Sequence, residues 1–275
     1  RGMARWLAAG ASDCIALAAP DAEWRVRLAL LSPPRESAGE TPQVRGFLHG
    51  SAASAAIAAR LPTLAACGAN VLIVGETGTG KEVCAQAVHY LSARAARPMV
   101  AVNCGAIPAE LVEAELFGHV KGAYTTAHAS RSGLVQEAEG GTLFLDDVDC
   151  LPLQAQAKLL RFLQEHEYRP LGSNAVRRAD VRVVAASNCD LYALSRQDRF
   201  RQDLYFRLNV LNIALPPLRD RREDLPVLAL HFARSFAREF DRPARTLSSA
   251  ALAKLARHDW PGNVRELQHV IERAV

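Results

Sequence analysis

One stretch constrains the fold of this chain more than any other: Gly75-Glu76-Thr77-Gly78-Thr79-Gly80-Lys81-Glu82. The apolar run Asn70–Val74 leads into it, and apolar residues at helical spacing, Val83, Ala87, Val88 and Leu91, follow it. A strand, a glycine loop and a helix with Lys81 in its first turn form the arrangement that cradles phosphate. The glycines let backbone N–H groups close around an anion, and the helix N-terminus adds partial positive charge. Lys81 is expected to reach the terminal phosphates of a nucleotide. The residue after the lysine is usually Ser or Thr, whose hydroxyl holds Mg²⁺. Glu82 stands there instead, so that ligand is missing.

The rest of the chain alternates strands and helices, as a parallel α/β sheet requires. Strands are predicted at Val71–Val74, Met99–Val102, Thr142–Leu145, Val181–Ala185 and Val210–Ile213. Ser51–Ala66 is Ala-rich and helical, and Pro62 is expected to kink or break it. After Leu218 only helical patterns remain, at 223–240, 248–257 and 263–275, suggesting a small all-helical unit. Ser32–Arg45 holds Pro33, Pro34, Gly39 and Pro42 without apolar period and reads as a linker. The expected division is 1–31, a linker over 32–46, an α/β unit over 47–218 and a helical unit over 219–275. With 275 residues, 49% of them apolar, the chain is long enough for a well-buried globular core. The net charge of +4 is too small to argue for nucleic acid. The six cysteines show neither pairing nor metal spacing and read as buried thiols of a reducing cytoplasm. No membrane-length apolar run or signal peptide is visible. The chain starts at Arg1 and ends inside a helical pattern, and is expected to be a piece of a longer protein.

Gly141-Thr142-Leu143-Phe144-Leu145-Asp146-Asp147 is an apolar strand ending in two carboxylates, about seventy residues after the phosphate loop. In a P-loop enzyme such a strand lies beside the loop. Asp146 is then expected to hold Mg²⁺ through water, and Asp147 to orient or deprotonate the attacking water.

Further motifs carry a family resemblance. Glu115-Leu116-Phe117-Gly118-His119, followed by Gly122-Ala123-Tyr124-Thr125-Thr126-Ala127, resembles the signature loop of bacterial enhancer-binding proteins, the activators of sigma-54 RNA polymerase. Phe200–Leu208 and Trp260–Leu267 are similar to two further motifs of that family. From Phe47 to Val275 the chain resembles its AAA+ ATPase domain, in which the loop lysine is followed by glutamate. The stretch Ala9–Ile15, with Ala19-Pro20 after it, resembles the last third of a response-regulator receiver domain, as in two-component systems. That family carries Lys where Ala19 stands, and its phosphate-accepting Asp would lie upstream of Arg1.

The resemblance implies an α/β AAA+ core with a helical lid, using ATP and Mg²⁺ in a homo-oligomeric hexameric or heptameric ring. It implies that the ring remodels the sigma-54 RNA polymerase holoenzyme, contacted by Gly122, Ala123, Tyr124, Thr125, Thr126 and Ala127. Asn103 would hold the Asp147 carboxylate until the nucleotide state changes, or simply cap a strand end. Ser187 and Asn188 would sense the γ-phosphate, or form a turn. Arg201 and Arg207 would act as arginine fingers in the neighbouring subunit, or lie solvated on a helix. Arg265, just off the stripe Val264, Leu267, Ile271 and Ala274, would be the lid's phosphate sensor. Glu165–Arg178 would be a second mobile loop, or a plain surface loop. DNA binding would belong to a module outside this chain. Asp147 stands where the family has Glu, and Thr126 where it has Gly. These two departures, with Ala19 in place of the receiver Lys, support an alternative: a nucleotide-dependent oligomeric regulator with weak hydrolysis that does not engage sigma-54. Another P-loop NTPase, such as a helicase loader, is disfavoured by the signature loop.

Overall fold

The computed structural model describes residues 47–123, 129–243 and 246–275. The receiver-like stretch 1–31, the linker 32–46 and the loop residues Tyr124, Thr125, Thr126 and Ala127 lie outside the described residues.

Five parallel strands form the central sheet in the order β2-β3-β6-β1-β7. They are β1 (Val71–Val74), β2 (Met99–Asn103), β3 (Thr142–Asp146), β6 (Arg182–Ser187) and β7 (Leu211–Ala214); β4 (Glu167–Tyr168) and β5 (Arg177–Arg178) make a small antiparallel hairpin. The central strands are near-continuous apolar runs because helices cover both faces of a parallel sheet. Every residue of β6 is buried. The connecting helices are α2 (Lys81–Tyr90), α3 (Val112–Phe117), α4 (Leu134–Glu137), α5 (Leu153–Glu165), α6 (Leu191–Arg196) and α7 (Gln202–Leu208), with α1 (Ala52–Ala66) before β1.

Helix α1 runs unbroken through Pro62, contrary to the sequence expectation. An interior proline costs about 3 kcal/mol. The helix buries Ile57, Leu61 and Leu64, and each such side chain contributes about 1.5–3 kcal/mol, so packing outweighs the proline. The C-terminal end of α1 is also capped from a distance. Arg182, the one charged residue of β6, donates to the carbonyls of Leu64 (2.7 Å), Ala65 (3.0 Å) and Ala69 (3.2 Å). Helix ends leave such carbonyls without partners, and a cation there is favoured. Burial lowers the Arg182 pKa to about 10, which keeps it charged at neutral pH.

The chain then enters a helical unit of α8 (Leu225–Glu239), α9 (Ser249–Arg257) and α10 (Asn263–Ala274). Leu228, Phe236, Trp260, Leu267 and Ile271 form its own apolar core. Ser248 caps α9 by accepting from the Ala251 N–H. Among the described residues, no helix is long and apolar enough to cross a membrane.

Candidate nucleotide site

The sheet register brings the chemistry to one rim. Asn103 on β2 is level with Asp146 on β3, and Val74 on β1 is level with Ser187 on β6. The residues just past these strand ends therefore stand side by side.

The glycine loop leaves β1 and enters α2, as expected. Gly78 and Gly80 have φ of +79° and +101°, which only glycine adopts readily. A Cβ on Gly78 would stand 2.3 Å from the Gly262 carbonyl oxygen, so the loop touches the helical unit there. The buried Lys81 folds back over the loop, its Nζ donating to the carbonyls of Gly75 (2.9 Å) and Glu76 (3.3 Å). Thr79 Oγ1 donates to the Glu76 carbonyl at 2.7 Å. Glu82 lies in the first turn of α2.

At the end of β3, Asp146 accepts from the Asp147 N–H at 3.1 Å. Burial, and then the Asp147 charge, raise the Asp146 pKa, while Lys81 lowers it. Asp147 has φ +50° and ψ +49°, a left-handed conformation that Asp tolerates better than most residues. Asn103 Nδ2 donates to Asp147 Oδ2 at 3.3 Å, while Asn103 Oδ1 accepts from the N–H groups of Gly105 (2.8 Å) and Ala106 (3.1 Å). Asn103 thus both caps a turn and contacts the acid. Ser187 Oγ donates to Asp149 Oδ1 at 2.6 Å. Asn188 Nδ2 reaches the phosphate loop itself, donating to Thr77 Oγ1 at 3.2 Å.

Arg265 opens α10 beside the loop, its Cβ 3.1 Å from where a Cβ on Gly78 would stand. The other two arginines have partners of their own. Arg201 forms an ion pair with Asp203 at 2.7 Å, which lowers the Asp203 pKa. Arg207 donates through Nε and Nη2 to the Leu163 carbonyl, both at 3.0 Å. The Arg207 carbonyl also accepts from Asn70 Nδ2 at 3.1 Å, at the entry end of β1. The phosphate loop leaves the other end of β1, roughly 15 Å away at about 3.3 Å per residue.

The signature loop is clasped at its base. His119 pairs with Arg131 and Leu171 across isolated bridges, and the Val120 N–H donates to the Leu171 carbonyl at 3.0 Å. Gly172, at φ +78°, is so close to Ala123 that a Cβ on it would come within 2.8 Å of the Ala123 Cβ. The turn between β4 and β5 therefore packs on the start of Gly122–Ala127.

The acid side of the rim suits a divalent cation. Asp147 and Glu82 both raise the Asp146 pKa by their charge, and Lys81 opposes them. Among the described residues, no group of three or more His, Cys, Asp or Glu could chelate an ion. Mg²⁺ is commonly bound through one or two carboxylates plus phosphates, and Asp146 offers such a carboxylate beside the phosphate loop's Lys81. Two cysteines depart from expectation. Cys67, Cys84 and Cys104 are buried, but Cys150 is exposed and Cys189 partly so. Sequence reasoning missed Arg219, Arg221 and the role of Asn263, all of which touch the loop from the helical unit. The one available signal was Glu76 itself, a charged side chain in a glycine loop.

A model of the Sigma-54 interaction domain matches residues 47–214, and one of the AAA+ ATPase lid domain matches residues 219–275. The chain is similar to the alginate biosynthesis transcriptional regulatory protein AlgB of Pseudomonas aeruginosa, at 51% identity over 83% of this chain and 51% of AlgB. It is also similar to the DNA-binding transcriptional activator HyfR of Escherichia coli, at 55% identity over 74% of this chain and 31% of HyfR. The chain thus spans about half or less of these relatives. The crystal structure of NtrX from Brucella abortus in complex with ATP aligns at 34% identity and TM-score 0.77, over 82% of this chain and 49% of that one.

Proposed function

Because the chain belongs to the sigma-54 interaction domain family, AAA+ P-loop NTPases of sigma-54-dependent activators, we propose that it hydrolyses ATP to remodel the sigma-54 RNA polymerase holoenzyme. One observation carries this reading. The phosphate loop, Asp146, Asp147, Asn103 and Asn188 converge on one rim, with Asn103 bonded to Asp147 and Asn188 to Thr77. The α/β unit over 47–218 binds the nucleotide, and the lid over 219–275 covers it.

In this mechanism the loop amides and Lys81 bind phosphate, and Lys81 moves from the Gly75 and Glu76 carbonyls to the terminal phosphates. Asp146 would hold Mg²⁺ through water, and the ion would supply charge stabilisation at the phosphates when bound. Asp147 orients the attacking water, and Asn103 holds Asp147 in place. Asn188 senses the γ-phosphate through its tie to Thr77, and Arg265 senses it from the lid. Arg207 sits too far from its own loop to serve it, which supports a homo-oligomeric ring with Arg201 and Arg207 acting on a neighbour. The contact of Gly172 with Ala123 supports motion passing between the two loops. The tip, Gly122 to Ala127, then meets sigma-54. The protein acts in the cytoplasm, and any DNA contact belongs to a module outside these residues.

The second reading, a weakly hydrolysing regulator that does not engage sigma-54, is favoured by Asp147 and Thr126. Steady-state ATP turnover by the purified domain tests the first reading. Lys81→Ala removes charge-assisted phosphate contacts of about 1.5–3 kcal/mol, so ATP binding should weaken at least tenfold. Equal affinity in titrations of both proteins would refute the assignment of the loop.

A further inference from the structure

The outer side of the phosphate loop is gripped by the lid. Three consecutive loop carbonyls accept hydrogen bonds from that side: Thr77 from Asn263 Nδ2 (3.0 Å), Gly78 from the Val264 N–H (2.9 Å) and Thr79 from Arg221 Nη2 (2.6 Å). In a trans peptide the carbonyl and the next N–H point in opposite directions. Holding these carbonyls toward the lid therefore turns the N–H groups of Gly78 and Gly80 the other way, toward the phosphate cradle, while the Thr79 N–H between them donates to the Glu76 carbonyl at 3.3 Å.

The Glu76 side chain completes the grip. Its carboxylate accepts from both terminal nitrogens of Arg219, at 2.6 and 2.9 Å, and from Asn263 Nδ2 at 3.1 Å. Asn263 in turn accepts from the Leu218 N–H at 2.8 Å, is fully buried and sits at φ +51°. The Arg219 bonds, then the Asn263 bond, hold the Glu76 pKa down to about 2. The Glu76–Arg219 pair is itself about two-fifths exposed on each side, and exposed pairs add little to global stability. Stability alone is thus a weak reason for it.

We propose that Glu76, Arg219, Arg221 and Asn263 form a latch through which the lid orients the phosphate-binding amides. Opening the lid then loosens the grip on phosphate without any change in Lys81. Glu76 and Asn263 are positioning residues: they act through the loop backbone and through Arg265, the next residue but one after Asn263. The proposal rests on the nucleotide-binding reading above.

The test is a double-mutant cycle in the whole chain, read by ATP titration and by the thermal midpoint without nucleotide. Glu76→Ala and Arg219→Ala should each weaken ATP binding about tenfold, and the pair together no more than either alone. The midpoints should stay close to wild type. Arg219→Lys keeps the charge and should recover most of the affinity. Exchange of the Val264 amide should speed up about tenfold in Glu76→Ala. Arg265→Ala should cost less affinity in the Glu76→Ala background than in wild type. Single variants that bind ATP within twofold of wild type, losses that multiply, or unchanged Val264 exchange would each overturn the latch. A wild type and a Lys81→Ala variant that both fail to bind ATP would overturn the nucleotide reading, and the latch with it.

Discussion

Replacing Asp147 with Glu tests the active-site geometry most directly. Aspartate is one methylene shorter, so its carboxylate sits back by roughly 1–1.5 Å. Misplacing a catalytic group by about an ångström costs on the order of a hundredfold in rate, or about 2.7 kcal/mol of barrier. The reference pKa values of the two acids, near 3.9 and 4.3, barely differ, so position outweighs basicity. The Asn103 contact is long, at 3.3 Å, so a longer acid has room to meet Asn103 more closely. One feature of the structure opposes the change. The left-handed backbone at Asp147, with φ +50°, suits Asp better than Glu and costs the variant roughly 1 kcal/mol of stability. That penalty falls on the fold and not on the barrier. Wild type should therefore hydrolyse slowly with ATP binding intact. Asp147→Glu should raise turnover by at least several-fold, leave nucleotide affinity nearly unchanged and lower the melting midpoint by a few degrees. Single-turnover hydrolysis at saturating ATP and Mg²⁺ measures the rates. A Glu variant no faster than wild type would refute the short-carboxylate reasoning. Wild-type turnover near one per second or above would remove the weak-hydrolysis alternative as well.

Shared active sites predict that hydrolysis rises more steeply than linearly with protein concentration. Mixing Arg207→Ala with Lys81→Ala subunits should restore activity that neither has alone; a turnover number independent of concentration in a monomeric protein would contradict this. Thr126→Gly gives the loop tip access to positive φ that a β-branched residue resists. It should strengthen capture of sigma-54 in a transition-state-analogue pull-down, and equal capture by both proteins would show that tip conformation does not limit contact. Glu76, whose pKa falls from 4.5 to about 2 on folding, contributes stability that is complete above about pH 4.5 and is lost as pH falls through about 2. Because the Glu76–Arg219 pair is exposed, that contribution is small: the stability difference between wild type and Glu76→Gln in urea melts should be slight and flat from pH 5 to 9, and should shrink below about 4.5.

How far the sequence could be read depended on whether a residue's partner was nearby or implied by strand order. The strands were legible because covered parallel strands are apolar throughout, and β1, β3 and β6 show this plainly. The rim residues were legible because each follows a strand end. Asn103, Asp146, Asp147 and Asn188 needed only parallel pairing to come together. Pro62 was misjudged as a breaker because local propensity says nothing of the apolar side chains Ile57, Leu61 and Leu64 that α1 buries. Arg182 was invisible as a cap: its three carbonyl partners lie more than a hundred residues earlier. The lid contacts were hidden for the same reason, since Glu76 and Asn263 are 187 residues apart.

The separation between Arg207 and its own loop also constrains how the parts can work together. One end of β1 carries the phosphate loop and the other lies beside Arg207. A rigid sheet cannot bring both to one phosphate, so a subunit that uses both motifs must receive its arginine from outside. The lid sits on the loop side of the sheet, with Val264 bonded to Gly78 and Asn263 to Thr77. On the proposed reading, a nucleotide held by the loop would report to the lid within the same subunit and to the arginines of a different one. Sensing and completion of the site would then be divided between neighbours. On this geometry a variant that loosens the lid, such as Glu76→Ala, is repaired by nothing its neighbours supply, whereas Arg207→Ala is repaired by an intact neighbour. Mixed rings of Glu76→Ala and Lys81→Ala subunits should accordingly regain less ATP affinity per competent loop than rings of Arg207→Ala and Lys81→Ala. The reverse order would mean that lid and loop communicate across the interface and not within the subunit.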